Sequence, residues 1–190
     1  MKREYWVGIL LLAVAAGLYW YSLKAGEQAP AFNAEAEPDF VARTLRSRAY
    51  DAHGRLSAQI AADGMQHYQA QGLTEFEQPV YLLYPKDSDG VWKLQSRQGQ
   101  LTQNRHLLLD QDVVITAIEP NEPLRTILTE RLELDLETMV MTSDAAVRAE
   151  GETFTLDAVG LWADLNLNTL ELKQDVRATY LVPEQHEAGR

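Results

Sequence analysis

The chain has no cysteine among its 190 residues. Disulfides, thiolate metal sites, cysteine nucleophiles and a lipidated N-terminal cysteine are therefore excluded. Positive charge is scarce: 17 Lys and Arg stand against 28 Asp and Glu, for a net charge of −11. Lys2, Arg3 and Lys24 fall before residue 25 with only Glu4 against them, so the remainder carries −13. A surface this acidic repels phosphate backbones and argues against nucleic acid as a partner. Histidine is sparse too. His53, His67, His106 and His186 never fall two to four residues apart, which leaves no metal-ligand spacing. There is no Gly-x-Ser-x-Gly elbow, no Walker-type loop and no His-Glu-x-x-His. No cofactor is implied and no catalytic set stands out. Glu130, Glu133, Asp135 and Glu137 lie along one strand and its approach, mostly on the polar side of the alternation. They read as a solvated face. The alternative is a paired acid/base site of the kind used by glycosidases.

Hydrophobic residues, at 46%, are plentiful enough for one sizeable domain with its own core. The longest uncharged run is Tyr5 to Leu23. As a helix at about 1.5 Å per residue, it roughly matches a bilayer core of about 30 Å. Tyr5 and Trp6 at one end, with Tyr19, Trp20 and Tyr21 at the other, form interfacial belts. Lys2 and Arg3 hold the N-terminus in the cytoplasm, so the rest lies outside the inner membrane. A cleaved signal peptide is the rival reading. Its apolar region spans about 7–15 residues before small residues, whereas aromatics occupy that place here. The expected organisation is an anchor over 1–24, a linker over 25–44, a β domain over 45–182 and a disordered tail over 183–190.

After residue 50 the dominant pattern has period two. Leu132, Leu134 and Leu136 alternate with charged neighbours; Leu165 and Leu167 alternate with Asp164, Asn166 and Asn168; Val176, Ala178 and Tyr180 alternate with Asp175, Arg177 and Thr179. Such segments are strands with one buried and one wet face. Ala58 to Tyr68 is the nearest case to a helix, but Leu56, Ala58, Ile60 and Ala62 alternate, and it too reads as strand. Turn signals separate the strands at Ala52-His53-Gly54, Pro85 to Gly90, Gln98-Gly99, Asn104-Arg105, Glu119 to Pro123 and Gly151.

A weak repeat runs through the strands. Phe76-Glu77-Gln78-Pro79-Val80, Leu109 to Val113, Met141 to Ala145 and Leu172 to Val176 align at offsets of 31 to 33 residues. Periods of this size suggest units that stack or fold over one another. An ordinary antiparallel sandwich with regular strand lengths gives a similar signal. The expected apolar face includes Phe76, Val80, Leu82, Leu94, Leu109 and Leu134. Either a filled core or a slot open along its side, able to hold acyl chains, fits these residues. Unpaired edge strands at the ends of a slot would accept another sheet.

The layout resembles the LptC family, the inner-membrane-anchored component of the lipopolysaccharide transport bridge. Tyr50-Asp-Ala-His-Gly54-Arg-Leu56 looks like its first hairpin, and Phe76-x-x-Pro79-Val80 with Tyr84 like its second strand pair. Trp92, Gly99-x-Leu101 and Leu107-x-Leu109-x-x-x-Val113 look like a full repeat. Leu128-Thr129, Leu132 and Leu134 with Gly151-Glu-Thr-Phe154 and Gly160 look like the next, and Leu170-x-Leu172-x-x-x-Val176 with Tyr180 like the last. Gly160-Leu-Trp-Ala-Asp departs from a more basic stretch in some relatives.

The resemblance implies an all-β, twisted open β-jellyroll in the periplasm behind one N-terminal transmembrane helix. It implies passage of lipopolysaccharide from the LptB/LptF/LptG ABC transporter through the slot to LptA. The residues expected to meet lipid are Phe76, Leu107, Leu109, Met141, Leu170 and Leu172. Gly54, Leu56 and Gly151 are expected to dock the transporter, Gly151 as a turn glycine with positive φ or a close backbone approach. Leu170, Val176, Ala178 and Tyr180 are expected to pair with LptA. The alternative is an anchored scaffold for envelope proteins that binds no lipid.

Overall fold

The computed structural model describes residues 37–86, 90–118 and 124–180. The expected span from Tyr5 to Leu23, most of the linker, the loop centred on residues 119–123 and the tail lie outside these residues. Among the described residues, no helix is long and apolar enough to cross a membrane. The strands are β1 (Phe40–Tyr50), β2 (Leu56–Tyr68), β3 (Leu73–Glu77), β4 (Val80–Leu83), β5 (Trp92–Gln95) and β6 (Gln98–Thr102). They continue with β7 (His106–Ala117), β8 (Leu124–Asp135), β9 (Val140–Gly151), β10 (Phe154–Asp164) and β11 (Thr169–Tyr180). All belong to one antiparallel sheet. Ala58 to Tyr68 lies within β2, in accord with its alternation.

Two pairs of short strands are halves of longer ones. β2 pairs with β4 through its first half and with β3 through its second. β7 pairs with β6 through its first half and with β5 through its second. Counted this way, nine long strands follow one another, each antiparallel to the next, and no connection crosses over. The topology is a meander without a Greek key.

Directly opposed residues in an antiparallel sheet share a face. The register therefore gathers apolar residues into rows, such as Leu101, Leu107, Leu134, Met141 and Ala163. Tyr81, Leu94, Ile115, Ile127 and Ala149 form another. No second sheet covers this face among the described residues, so it can leave water only by folding onto itself. The chain makes that fold by breaking most of the long strands near their middle, while β2 runs through unbroken. Left-handed backbone occurs at Thr44 (φ 58°), Gln78 (48°), Gln111 (65°), Asp112 (53°), Gly160 (83°) and Asp175 (52°). In β8 and β9 the crease is a register shift instead. Each non-glycine in this conformation costs roughly 1–2 kcal/mol. Burial of a Leu or Ile side chain returns about 1.5–3 kcal/mol. Side chains from both leaves merge in one core, with Leu83, Leu94, Leu109, Ile115, Leu132 and Leu161 all at 0% exposure.

The crease is held by polar contacts. The Gln78 N–H donates to the Arg97 carbonyl (2.9 Å), and the Arg97 N–H donates to the Gln111 carbonyl (3.0 Å). The Arg97 guanidinium meets Asp112 at 2.5 Å, and Lys173 meets Asp144 at 3.0 Å. Thr129 and Ser143 are buried but satisfied: Ser143 Oγ donates to the Arg131 carbonyl (2.7 Å) and Thr129 Oγ1 to the Ala146 carbonyl (2.9 Å). The sequence repeat lies on this line. Its polar centres, Gln78-Pro79, Gln111-Asp112, Ser143-Asp144 and Gln174-Asp175, are where alternate strands cross from one leaf to the other.

Three expectations require correction. Gln98-Gly99 is not a turn: both residues pair within β6, and the break falls at Ser96-Arg97. The run Phe76, Val80 and Leu82 does not share one face. The turn at Gln78 shifts the parity, so Tyr81 (3% exposed) and Leu83 point inward while Val80 and Leu82 stay half-buried. Leu165 to Asn168 is a turn rather than strand. Asp164 Oδ1 accepts the N–H groups of Asn166 (2.9 Å) and Leu167 (3.1 Å), which bends the backbone and leaves Leu167 69% exposed.

Gly160 tests the crease. A Cβ there would stand 2.9 Å from Lys173 Cδ and 3.1 Å from Lys173 Cβ, in a φ that L-residues resist. We expect Gly160→Ala to lower stability by about 1–2 kcal/mol in urea unfolding; an unchanged midpoint would contradict a left-handed crease at this residue.

Candidate functional site

The crease closes one long side of the molecule, and the hairpin turns line the other. Turns of the first leaf are 69–72, 103–105, 136–139 and 165–168; turns of the second include 51–55 and 152–153. The side between these rows is stoppered. Met139 and Leu165 are turn residues at 2% exposure, and the Leu165 N–H donates to the Met139 carbonyl (3.1 Å). The Lys86 N–H of the second leaf donates to Asn166 Oδ1 of the first (3.0 Å), tying the leaves together. A side-opening slot, expected from the sequence, is thus plugged by apolar turn residues.

The ends are different. β1 pairs only with β2, and β11 only with β10, so each presents a free edge. Burial fades toward both. At the β1 end, Ala42, Leu45, Ile60 and Met65 are half-buried; at the β11 end, Leu156, Leu170 and Leu172 are half-buried and Ala178 is exposed. The inner face is therefore a greasy strip, sealed in the middle and open at two ends.

Phe76, Leu107, Leu109 and Met141 lie in the sealed middle, at 6%, 1%, 0% and 1% exposure. Neighbouring side chains cover them, and a lipid reaches them only if the leaves part. Leu170 and Leu172 lie at the open β11 end, opposite Ala163 and Leu161. Ala178 and Tyr180 oppose Leu156 and Phe154, so they share the inner face with Leu170 and Leu172. Val176, two residues before Ala178, falls on the same face and is 51% exposed; Tyr180 is 69% exposed.

The three residues expected to dock the transporter are not brought together. Gly54 (φ 78°) and Leu56 belong to the β1–β2 turn. Gly151 ends β9 opposite Leu124, with β4, β5, β7 and β8 between it and β2. Positive-φ glycines among the described residues are Gly54, Gly72 and Gly160, so Gly151 lacks the left-handed backbone expected of it. Its extended pairing with β8 supplies the reason.

The β1–β2 turn is rigidly built. Asp51 Oδ1 accepts the N–H groups of His53 and Arg55, both at 2.9 Å, and Asp51 Oδ2 accepts Arg55 Nε at 2.9 Å. The Arg55 N–H bond, with the other bonds and the guanidinium charge, outweighs the opposing effect of burial and holds the Asp51 carboxyl down at about 2. A depressed folded pKa stabilises above the unfolded value near 3.9, and the gain is lost as pH falls toward 2. The fully formed turn is thus expected at neutral pH, with fraying between about pH 4 and 2. Amide NMR shifts of His53 and Arg55 should follow that titration in the wild type and be pH-insensitive in Asp51→Asn. Pearl-string clusters of metal ligands are absent among the described residues: no group of three His, Asp or Glu could hold an ion.

A creased antiparallel meander with an apolar interior and two free edges defines a class of all-β modules whose edge strands are open to pairing. Residues 8–181 match the family described as "Lipopolysaccharide-assembly, LptC-related". The Lipopolysaccharide export system protein LptC of Escherichia coli K12 is 28% identical over 180 residues, covering 94% of each chain. That of Haemophilus influenzae is 24% identical over 196 residues, again covering 94% of each. The chain belongs to the LptC-related lipopolysaccharide-assembly family.

Proposed function

We propose that this chain carries lipopolysaccharide between the inner membrane and the next component of an export bridge, without catalysing a reaction. The observation behind this reading is the inner face itself: continuous apolar rows that lose their cover at both edge strands. The creased all-β antiparallel sheet stands where the family resemblance implies a twisted open β-jellyroll, and its strand order is a meander. Tyr5 to Leu23 anchors it as a single span, with the N-terminus in the cytoplasm and the β domain in the periplasm.

Each methylene removed from water is worth about 0.8 kcal/mol, so a lipid with several acyl chains needs shelter on an aqueous path. A sheath between two leaves supplies it while the sugar head stays wet. Lipid enters from LptB/LptF/LptG at the β1 end, beside Gly54 and Leu56, and leaves at the β11 end. There LptA adds a strand to the free edge near Leu170, Val176, Ala178 and Tyr180. The inner face then continues into the partner, because these side chains belong both to the edge and to the slot. Phe76, Leu107, Leu109, Met141 and Leu172 contact the chains when the leaves part. Release requires modest affinity, and ATP hydrolysis on the transporter supplies direction.

Photocrosslinkers placed singly at Phe76, Leu107, Leu109, Met141, Leu170 and Leu172 should capture lipopolysaccharide in ATP-driven vesicles. Blank results at all six would leave the scaffold reading in its place. For docking, Leu56→Arg at the β1–β2 turn should lower co-elution with the transporter on size exclusion; normal co-elution would remove that turn from the interface.

A further inference from the structure

One polar atom in the sealed middle has no partner among the described residues. The Tyr81 hydroxyl meets no hydrogen-bonding group among the described residues, although the side chain is only 3% exposed. Buried hydroxyls are satisfied as a rule, because stripping one of water without replacement is costly. A permanently closed core would be better served by Phe. Burial also pushes the phenol pKa up, so the group keeps its proton and its capacity to donate.

Its position gives the hydroxyl a use. The inner row inward from the β1 edge reads Ser47, Ile60, Tyr81, Leu94, Ile115. Ser47 is exposed, Ile60 half-buried, and Leu94 and Ile115 fully covered. Within this row Tyr81 is thus the first fully enclosed side chain behind the β1 opening, beyond the small buried Ala58 and Ala62 of β2. Its ring meets Phe76 of the facing leaf edge-on, with centroids 6.2 Å apart and planes at 87°. The two residues lie five apart, folded together by the crease at Gln78. A chain sliding in from β1 must part this pair, and parting it exposes the hydroxyl to the guest.

We infer that the Tyr81 hydroxyl is a hydrogen-bond donor kept for an oxygen borne on the acyl chain itself, which makes the slot selective for oxygenated over plain chains. This rests on the lipid-carrier reading above. With Phe76 it forms a door whose closed state leaves one donor unsatisfied and whose open state, with guest, satisfies it.

The test uses the full chain in amphipol, as wild type and as Tyr81→Phe. Without ligand, Tyr81→Phe should raise the melting temperature by about 3 °C, since an orphan group is removed. Wild type should bind purified lipopolysaccharide, and should bind 3-hydroxytetradecanoate about threefold to tenfold more tightly than tetradecanoate. Tyr81→Phe should bind the two fatty acids equally. A lowered melting temperature in the variant would show the hydroxyl already satisfied and overturn the inference. So would a chain preference that survives the substitution, or one absent from wild type that still binds lipopolysaccharide. Failure of wild type to bind lipopolysaccharide or either fatty acid would instead overturn the carrier reading itself, and this inference with it.

Discussion

A single sheet with one apolar face and no other layer to cover it has few ways to escape water. It can associate with a copy, close into a barrel, or double over. This chain doubles over, and most of its other features follow. Doubling bends the sheet along one line, and left-handed residues at Thr44, Gln78, Gln111, Asp112, Gly160 and Asp175 fall on it. Polar side chains gather at that line because the ladder hydrogen bonds are interrupted there and buried backbone groups need partners. Thr129 and Ser143 serve that need within the core. Because the sheet folds rather than closes, β1 and β11 keep unpaired edges, and the apolar strip between the leaves ends at both.

Free edges invite indiscriminate pairing, and proteins restrain it with charge. β1 carries Arg43, Arg46 and Arg48 on an otherwise acidic domain, and β11 carries Glu171, Lys173, Asp175 and Arg177. These charges leave the edges available to a matched partner while discouraging copies of the chain from stacking at random. Burial adds no second restraint: Phe40, Val41 and Tyr50 on β1, like Val176 and Tyr180 on β11, are more than half exposed, so the apolar strip is bare at both edges.

Much of this was legible in the amino-acid order. Alternation marked the strands, including β2, whose residues superficially suit a helix. The repeat centred on Gln78-Pro79, Gln111-Asp112, Ser143-Asp144 and Gln174-Asp175 was visible as a pattern, but its meaning was not. A polar pair between apolar residues reads as a stacking unit until the register shows it to be a fold line. That ambiguity also hid Tyr81. Even-numbered parity carried from Phe76 through Val80 and Leu82 is broken by one left-handed residue, and periodicity cannot register a change of direction. The plugged side was equally out of reach, because Met139 and Leu165 sit in turns where apolar residues usually signal strand ends. Gly151 shows the converse: glycine permits positive φ without requiring it.

The meander has a kinetic corollary. Each long strand pairs with the strand made just before it, and Leu45, for instance, finds Ala62 after a separation of only seventeen residues. Low sequence separation between partners favours rapid structure formation. A polypeptide emerging end-first through a narrow pore can add each strand to the one already out, and never waits for its distant C-terminus. At every stage the growing sheet can crease and hide its apolar side.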